Sequence, residues 1–247
     1  MWNYCNHCHR SEIIAANYCR DRFCAICAPK KANKIRFQIV KTISDYVNNP
    51  RYEWLFLTLT VRNVAGDQLK ETVSQCLKAT TRFFDRRQIE RAVAGYIRSL
   101  EITYNQTSNT YHPHIHVLLM VDKESYFKEG EYISQSEWAQ FWKESARLNY
   151  IPTTDIRKVH QRGKNGTIER AILETAKYPV KLFQIPNATV FFTLDNALKG
   201  KQLVSAGGLL RDKWRISEFD KQERCCNNPE ITQTLYKWST TGYKITE

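Results

Sequence analysis

The sequence predicts an α+β fold, in which an antiparallel sheet of about five strands carries flanking helices and a small amino-terminal cysteine module precedes it. Segments of strand and helix character follow each other in mixed order. Two strand-like segments are joined by a short polar loop, which is typical of an antiparallel hairpin. Of 247 residues, 42% are hydrophobic, so the chain can bury a core of its own.

The individual elements follow from the spacing of apolar residues. Alternating or continuous apolar runs predict strands at residues 52–61, 94–104, 111–121, 155–160 and within 203–210. Helical spacing predicts helices at residues 32–47, 67–84, 134–148 and 167–178. Ser134 and Ser136 are both candidates for a helix N-cap, and Pro179 limits the last helix.

Three regions are expected along the chain. Residues 1–45 would form a zinc-binding cysteine module with a basic helix, and residues 50–215 would form the main domain with the antiparallel sheet. Residues 216–247 would form a carboxy-terminal extension, to which the sequence assigns no role.

Charge and apolar patterning restrict the classes of function. The sequence contains no apolar run of about 18 residues, which excludes a spanning helix, and its start lacks the pattern of a signal peptide. We therefore expect a cytoplasmic protein without a membrane partner and without disulfides. The formal net charge of +12, with 12% aromatic residues, favours nucleic acid as the partner. The alternative is a merely basic soluble protein.

The amino-terminal cysteines predict a structural zinc site. Cys5 and Cys8 form one C-x-x-C pair, and Cys24 and Cys27 form a second. Two such pairs can place four thiolates around one tetrahedral Zn²⁺, whose binding would supply folding energy to this small segment. Further candidate ligands are Cys19, His7 and His9, so the set of four stays open. The alternative is buried, reduced cysteines, which we expect for Cys76, Cys225 and Cys226.

A histidine-rich strand predicts a second metal site. His114 and His116 are two residues apart and so project from one face of the strand, with Ile115 on the other face. If the hairpin pairs Tyr104 with Tyr111, Glu101 lies across from His114; a slip of two residues places it across from His116. Either register gives a His-His-Glu face that could hold a divalent cation. The alternatives are histidines satisfied by packing and an exposed Glu101. The parity of the strand also places His112 nearby.

The last predicted helix offers a nucleophile. Glu174 and Tyr178 are one helical turn apart, with Lys177 and Lys181 close by. A tyrosine beside a metal-bound phosphate can form a covalent phosphotyrosine, a lysine can stabilise the developing charge, and a carboxylate can activate water. In isolation, Tyr178 is one of 13 tyrosines and would be assigned to packing.

These motifs together resemble the ordered motif set of rolling-circle plasmid replication initiators, which belong to the HUH endonucleases. The segments that carry the resemblance are FLTLT at 56–60, LEITYN at 100–105, HPHIHVLL at 112–119 and ETAKYPVK at 174–181. The cysteine segment at 19–31 and the stretches at 198–201 and 207–208 are also similar to that family, so the likeness spans residues 5–210.

The resemblance implies roles for individual residues. His114 and His116 match the metal-binding histidines, and Tyr178 matches the single nicking tyrosine. Glu174 matches the carboxylate that replaces a second tyrosine in one branch of the family. The implied cation is Mg²⁺ or Mn²⁺, the histidine strand is central in the implied sheet, and the tyrosine helix lies beside it. No motif of the family assigns Glu101 to the metal.

The leading hypothesis is therefore a metal-dependent nickase and strand transferase that initiates plasmid replication through a 5′-phosphotyrosine intermediate. Its partners would be a single-stranded or hairpin origin and the host helicase and replication machinery, because the chain has no nucleotide-binding P-loop motif. One alternative is a relaxase or transposase of the same superfamily. Another is a non-catalytic zinc-ribbon regulator, which would leave the histidine strand and Tyr178 without a role.

Overall fold

A computed structural model describes residues 2–13, 18–128, 132–159, 168–175, 185–214, 230–239 and 242–246. The α+β class is confirmed. Its helices are α1 (Cys27–Ile43), α2 (Gly66–Phe84), α3 (Arg87–Ala92), α4 (Lys123–Tyr126), α5 (Gln135–Ala146), α6 (Ile168–Thr175) and α7 (Ala188–Leu198). Its strands are β1 (Trp2–Cys5), β2 (Ser11–Ile13), β3 (Tyr52–Thr60), β4 (Val93–Asn105), β5 (Thr110–Asp122), β6 (Thr154–Lys158), β7 (Val204–Gly208), β8 (Ile231–Ser239) and β9 (Gly242–Thr246). None of these described helices has both the length and the apolar character needed to cross a membrane.

Contacts divide the chain into two compact units. Residues 1–27 and 217–247 form the smaller unit, and residues 28–216 form the larger one. This division differs from the boundaries expected from sequence at residues 45 and 216. From Ala28 onward helix α1 belongs with the larger unit, and the carboxy-terminal residues join the amino-terminal cysteines.

The smaller unit contains an antiparallel sheet in the order β2-β1-β8-β9. Strand β1 pairs with β8 from Trp2 opposite Thr234 to Cys5 opposite Ile231, so the two ends of the chain share one sheet. Cys5 is buried, and its backbone N–H donates to the carbonyl of Arg10 across the β1–β2 turn.

The larger unit is built on a five-stranded sheet in the order β6-β3-β5-β4-β7, and every pairing in it is antiparallel. Strand β5, which carries the histidines, is central. Its carboxy-terminal half, Val117–Val121, is fully buried, which requires the apolar side chains on both faces that the sequence supplies there. The five-stranded antiparallel sheet predicted from sequence is confirmed.

The β4–β5 hairpin fixes the register at the histidines. Tyr104 pairs with Tyr111 and Glu101 pairs with His114, which is the first of the two registers considered from the sequence. In the polar turn, the Asn105 side chain accepts hydrogen bonds from the backbone of Thr107 and Ser108, and Asn109 adopts a positive φ of 49°.

Helices cover the two faces of this sheet unequally. Helices α2, α5 and α7 lie on one face; Phe83 of α2 contacts Trp138 and Trp142 of α5, and Trp142 donates its indole N–H to the carbonyl of Thr60 at 2.8 Å. Ser134 caps α5 in a complete capping box with Glu137.

Helices α1 and α6 pack on the opposite face, against one half of it. Their Ile39 and Ile172 belong to one apolar cluster with Phe56, Leu118 and other buried residues of the sheet. The histidines lie on this same face, beyond the end of the apolar cluster. The fold therefore leaves them at the edge of a covered surface.

Candidate active site

Three side chains predicted to bind a cation meet on the face that α1 and α6 partly cover. His116 Nε2 lies 3.0 Å from Glu101 Oε2, and His114 Nε2 lies 3.4 Å from the same oxygen. One ligand atom from each of the three residues lies within 4.8 Å of the other two. The strand alternation that places His114 and His116 together, and the hairpin register that places Glu101 opposite, account for this convergence.

The hydrogen bond at Nδ1 of His114 determines whether the Nε2 atom of the same ring can donate a proton or a lone pair. His114 Nδ1 lies 3.1 Å from the backbone carbonyl of His112. A carbonyl only accepts, so Nδ1 carries the proton, and the Nε2 of a neutral ring then directs a lone pair at the Glu101 carboxylate. A lone pair and an anionic oxygen 3.4 Å apart repel each other unless a positive charge lies between them. A proton or a metal ion satisfies this geometry.

His116 is oriented by Thr58 and Phe56 from the neighbouring strand. The Thr58 hydroxyl lies 3.3 Å from His116 Nδ1, and the Phe56 ring stacks on the imidazole with centroids 5.5 Å apart. Because a hydroxyl can donate or accept, it supports the tautomer in which Nε2 donates to Glu101 as well as the tautomer in which Nε2 binds a metal.

Electrostatics keep the Glu101 carboxylate charged. Burial alone would raise the pKa of Glu101, but the hydrogen bonds and charges of His114 and His116 outweigh it and hold that pKa well below the ordinary range. Burial, together with the nearby charge of His114, lowers the pKa of His112. His112 is not part of the three-residue cluster, although its ring lies 5.4 Å from that of His114.

This donor set suits a divalent cation. Two imidazoles and one carboxylate on adjacent strands form one side of a coordination sphere and leave the other positions for water or a phosphate oxygen. Such an ion requires an anionic ligand beside the two imidazole nitrogens, and the buried Glu101 carboxylate supplies it.

Of the predicted nucleophile helix, the structure describes only the first part. Helix α6 packs through Ile168, Ala171 and Ile172 on the histidine-bearing face, and Glu174 near its end is partly exposed. Tyr178, Lys177 and Lys181 lie outside the described residues, so their positions and roles stay predictions.

A second cluster gathers cysteines, but not the four predicted from spacing. One Sγ atom each from Cys19, Cys24 and Cys27 lies within 4.8 Å of the others, and those of Cys19 and Cys27 are 3.6 Å apart. Cys5 and Cys8 do not belong to this three-residue cluster. Spacing alone could not distinguish Cys19 from them, because one cysteine between two pairs is compatible with several ligand sets.

The surroundings of these thiols differ. Backbone N–H groups of Cys27 and Ile26, with the side chain of Cys19, lower the pKa of Cys24 to about 7, so this thiol ionises readily. Burial, chiefly, raises the pKa of Cys27. Cys76 lies on the buried side of α2, where burial raises its pKa to about 12, as expected for a packing residue. Cys225 and Cys226 lie outside the described residues.

Comparisons with known proteins give one family. A family model described as "Replication protein" matches residues 10–244. The chain is 40% identical over 206 residues to "Protein rep" of Streptococcus pneumoniae serotype 2 (strain D39 / NCTC 7466), a match that covers 81% of this chain and 63% of the relative. It is 36% identical over 223 residues to "Protein rep" of Bacillus amyloliquefaciens, covering 82% and 65% respectively.

A "Replication protein" of Staphylococcus aureus is 35% identical over 196 residues, covering 75% of this chain and 83% of the relative. The chain thus spans slightly less than two thirds of the length of the first two relatives. No solved structure matches the chain significantly.

Proposed function

The chain belongs to the Replication protein family, and from this membership we propose that it initiates rolling-circle plasmid replication by nicking and rejoining origin DNA. The observation that carries the proposal is the cluster of Glu101, His114 and His116, in which two imidazole nitrogens lie 3.0 and 3.4 Å from one oxygen of a buried carboxylate. A regulator that only binds DNA leaves this arrangement without a role, whereas a metal-dependent phosphodiester-cleaving enzyme would use it to hold a cation.

In the proposed reaction, Glu101, His114 and His116 hold Mg²⁺ or Mn²⁺, which supplies Lewis-acid polarisation of the scissile phosphate. The Tyr178 oxygen attacks the phosphorus and loses its proton, and the bond from phosphorus to the 3′ oxygen breaks. The departing oxygen takes up a proton and becomes a 3′-OH primer, while the 5′-phosphate stays on Tyr178. Lys181, and to a lesser extent Lys177, stabilises the phenolate and the negative charge that develops on the phosphate.

Glu174 is proposed to end the cycle. A single tyrosine opens the origin, but the displaced strand must be released by a second cleavage. A carboxylate one helical turn before Tyr178 can accept a proton from water, and this water then cleaves the second site without leaving a new covalent adduct. Glu174 is partly exposed on a helix that packs on the same sheet face as the cation cluster, which is compatible with access to water.

The cysteine cluster is proposed to hold one structural Zn²⁺. Cys19, Cys24 and Cys27 supply three ligands, and the fourth comes from the remaining candidates Cys5, Cys8, His7 and His9. Unwinding would be left to a host helicase and the replication machinery in the cytoplasm. A relaxase or transposase of the same superfamily would share this chemistry but act on another target.

The test is cleavage of a labelled single-stranded oligonucleotide that carries the plasmid origin, with Mn²⁺ or with EDTA. We expect a covalent protein–DNA adduct with Mn²⁺ only, and we expect His114→Ala to abolish it. His112→Ala is the matched control, because it alters a histidine on the same strand face outside the cluster. Retained binding without any cleavage by the wild-type protein would instead favour the non-catalytic regulator.

A further inference from the structure

The outer face of helix α1 carries an unusual concentration of positive charge. Within Cys27–Ile43 there are five cationic side chains and no acidic one; the cations are Lys30, Lys31, Lys34, Arg36 and Lys41. The proposed chemistry uses none of them.

Three of these lysines form a line along the solvent side of the helix. Ile39 and Ile43 face the sheet, in the apolar cluster on the histidine-bearing face. Lys30, Lys34 and Lys41 lie on the opposite side, at positions separated by whole turns of the helix. With a rise of about 1.5 Å per residue, the line is about 16 Å long. Lys30 and Lys41 are exposed and Lys34 is half-exposed.

The stability of the helix does not explain this pattern. Lys30 lies in the first turn, where the helix dipole disfavours a cation, and that turn contains no acidic residue. Lys30 and Lys34 are four residues apart, a spacing at which like charges repel. Among the described residues, no ion pair includes Lys34 or Lys41. A polyanion bound from outside would offset these unfavourable terms.

The distribution of charge between the two units supports the same conclusion. Residues 1–27 and 217–247 together contain seven basic and seven acidic residues, so the smaller unit has no formal net charge. The whole excess of +12 belongs to residues 28–216. Contacts with DNA phosphates are therefore expected on the larger unit, which also carries the cluster of Glu101, His114 and His116.

We propose that the line of Lys30, Lys34 and Lys41 binds the phosphate backbone of duplex DNA, an assignment that rests on the proposed function. The duplex is favoured over a single strand for two reasons. The face is the convex side of a helix rather than a groove, and it carries one exposed aromatic side chain, Phe37, whereas a single strand would stack its bases on several. Duplex DNA instead presents a dense row of phosphates, one charge per about 1.7 Å of its axis.

The experiment measures the salt dependence of DNA binding by the full chain. The probe is a labelled mixed-sequence duplex of about 30 base pairs, because phosphate contacts do not depend on sequence. The variant is Lys30→Gln/Lys34→Gln/Lys41→Gln. The matched control, Lys78→Gln/Arg87→Gln/Lys199→Gln, removes one exposed charge each from α2, from α3 and from the residue after α7, and it produces the same net charge.

Three lost phosphate contacts should reduce the slope of log K against log salt by about 2.7. The wild type should then lose about 40-fold more affinity than the variant between 50 and 200 mM salt. The control should keep a slope near that of the wild type, and circular dichroism should show unchanged folding of both variants.

Two results would overturn the assignment. An equal loss of slope in the control would mean that only net charge matters. If the slope falls only when the labelled probe is a single strand of the same length, α1 binds single-stranded DNA instead. Because the assay measures binding without cleavage, its outcome is independent of whether Tyr178 nicks DNA, and a failure of the proposed reaction would be seen separately in the adduct assay.

Discussion

Replacing Thr58 with valine should weaken cation binding without disturbing the sheet. The Thr58 hydroxyl, 3.3 Å from His116 Nδ1, is the polar contact that orients this ring from the side opposite Glu101. Valine has nearly the same shape and suits a strand equally well, so the change removes the hydrogen bond and little else. His116 then keeps its stacking on Phe56 but loses the hydrogen-bond partner of its Nδ1 atom.

The expected loss follows from the geometry. Removing the hydrogen-bond partner of a metal-binding histidine typically lowers metal affinity by about 10-fold to 100-fold. Since 3.3 Å is long for this kind of hydrogen bond, we expect the lower end, about 10-fold or about 1.4 kcal/mol. Binding of Mn²⁺ can be followed by the electron paramagnetic resonance signal of the free ion, without any DNA.

Two variants make this result decisive. Thr58→Ser keeps the hydroxyl and should retain an affinity close to that of the wild type. Thr60→Val removes a hydroxyl from the same face of the same strand, but this hydroxyl donates to the carbonyl of Thr153 at 2.7 Å and not to a histidine. If Thr58→Val binds Mn²⁺ like the wild type, or if Thr60→Val loses as much affinity, Thr58 does not orient His116 as argued.

Further predictions concern stability, thiol reactivity and termination. The pKa of Glu101 is held below its value in the unfolded chain, so this group stabilises the fold above a pH of about 4.5. The stabilisation disappears as the pH falls further. Melting curves should therefore show Glu101→Gln less stable than the wild type at pH 7, and this difference should close in acid. Trp142→Phe leaves the carbonyl of Thr60 without its 2.8 Å partner and should cost about 1–3 kcal/mol in urea unfolding, whereas an unchanged midpoint would show that this bond contributes nothing. In metal-free protein at a pH near 7, iodoacetamide should modify Cys24, whose pKa is about 7, while Cys76, with a pKa of about 12, stays unmodified. Peptide mapping that finds Cys76 modified first would contradict the surroundings assigned to both thiols. Glu174→Ala should still nick and form the adduct but fail to hydrolyse a terminator site, and normal termination by this variant would remove Glu174 from the mechanism.

Much of the larger unit could be predicted because its signals are local. The alternation around His114 and His116 defines a strand face, and the polar turn between Tyr104 and Tyr111 leaves two registers, both of which bring Glu101 to that face; the structure adopts the one that pairs Glu101 with His114. Of the two candidate caps, the structure uses Ser134, which forms a capping box with the glutamate three residues later. Each of these inferences depends on residues within one hairpin or one helical turn.

The elements that the sequence did not reveal depend on distant partners or on weak periodicity. The pairing of β1 with β8 joins residues more than 200 positions apart, and no local pattern encodes it. Helix α7 is apolar over most of its length, so it shows no clear polar face, and only the Asn187 cap marks its start. The contact of Thr58 with His116 depends on the register between β3 and β5, which no local pattern encodes.

The measurement that tests the central claim most directly is identification of the peptide that stays attached to cleaved origin DNA. After cleavage with Mn²⁺, protease digestion and mass spectrometry, we predict a single DNA-linked peptide whose modified residue is Tyr178. Tyr178→Phe should yield neither cleavage nor adduct. An adduct on any other residue, or cleavage that persists in Tyr178→Phe, would contradict the proposed mechanism.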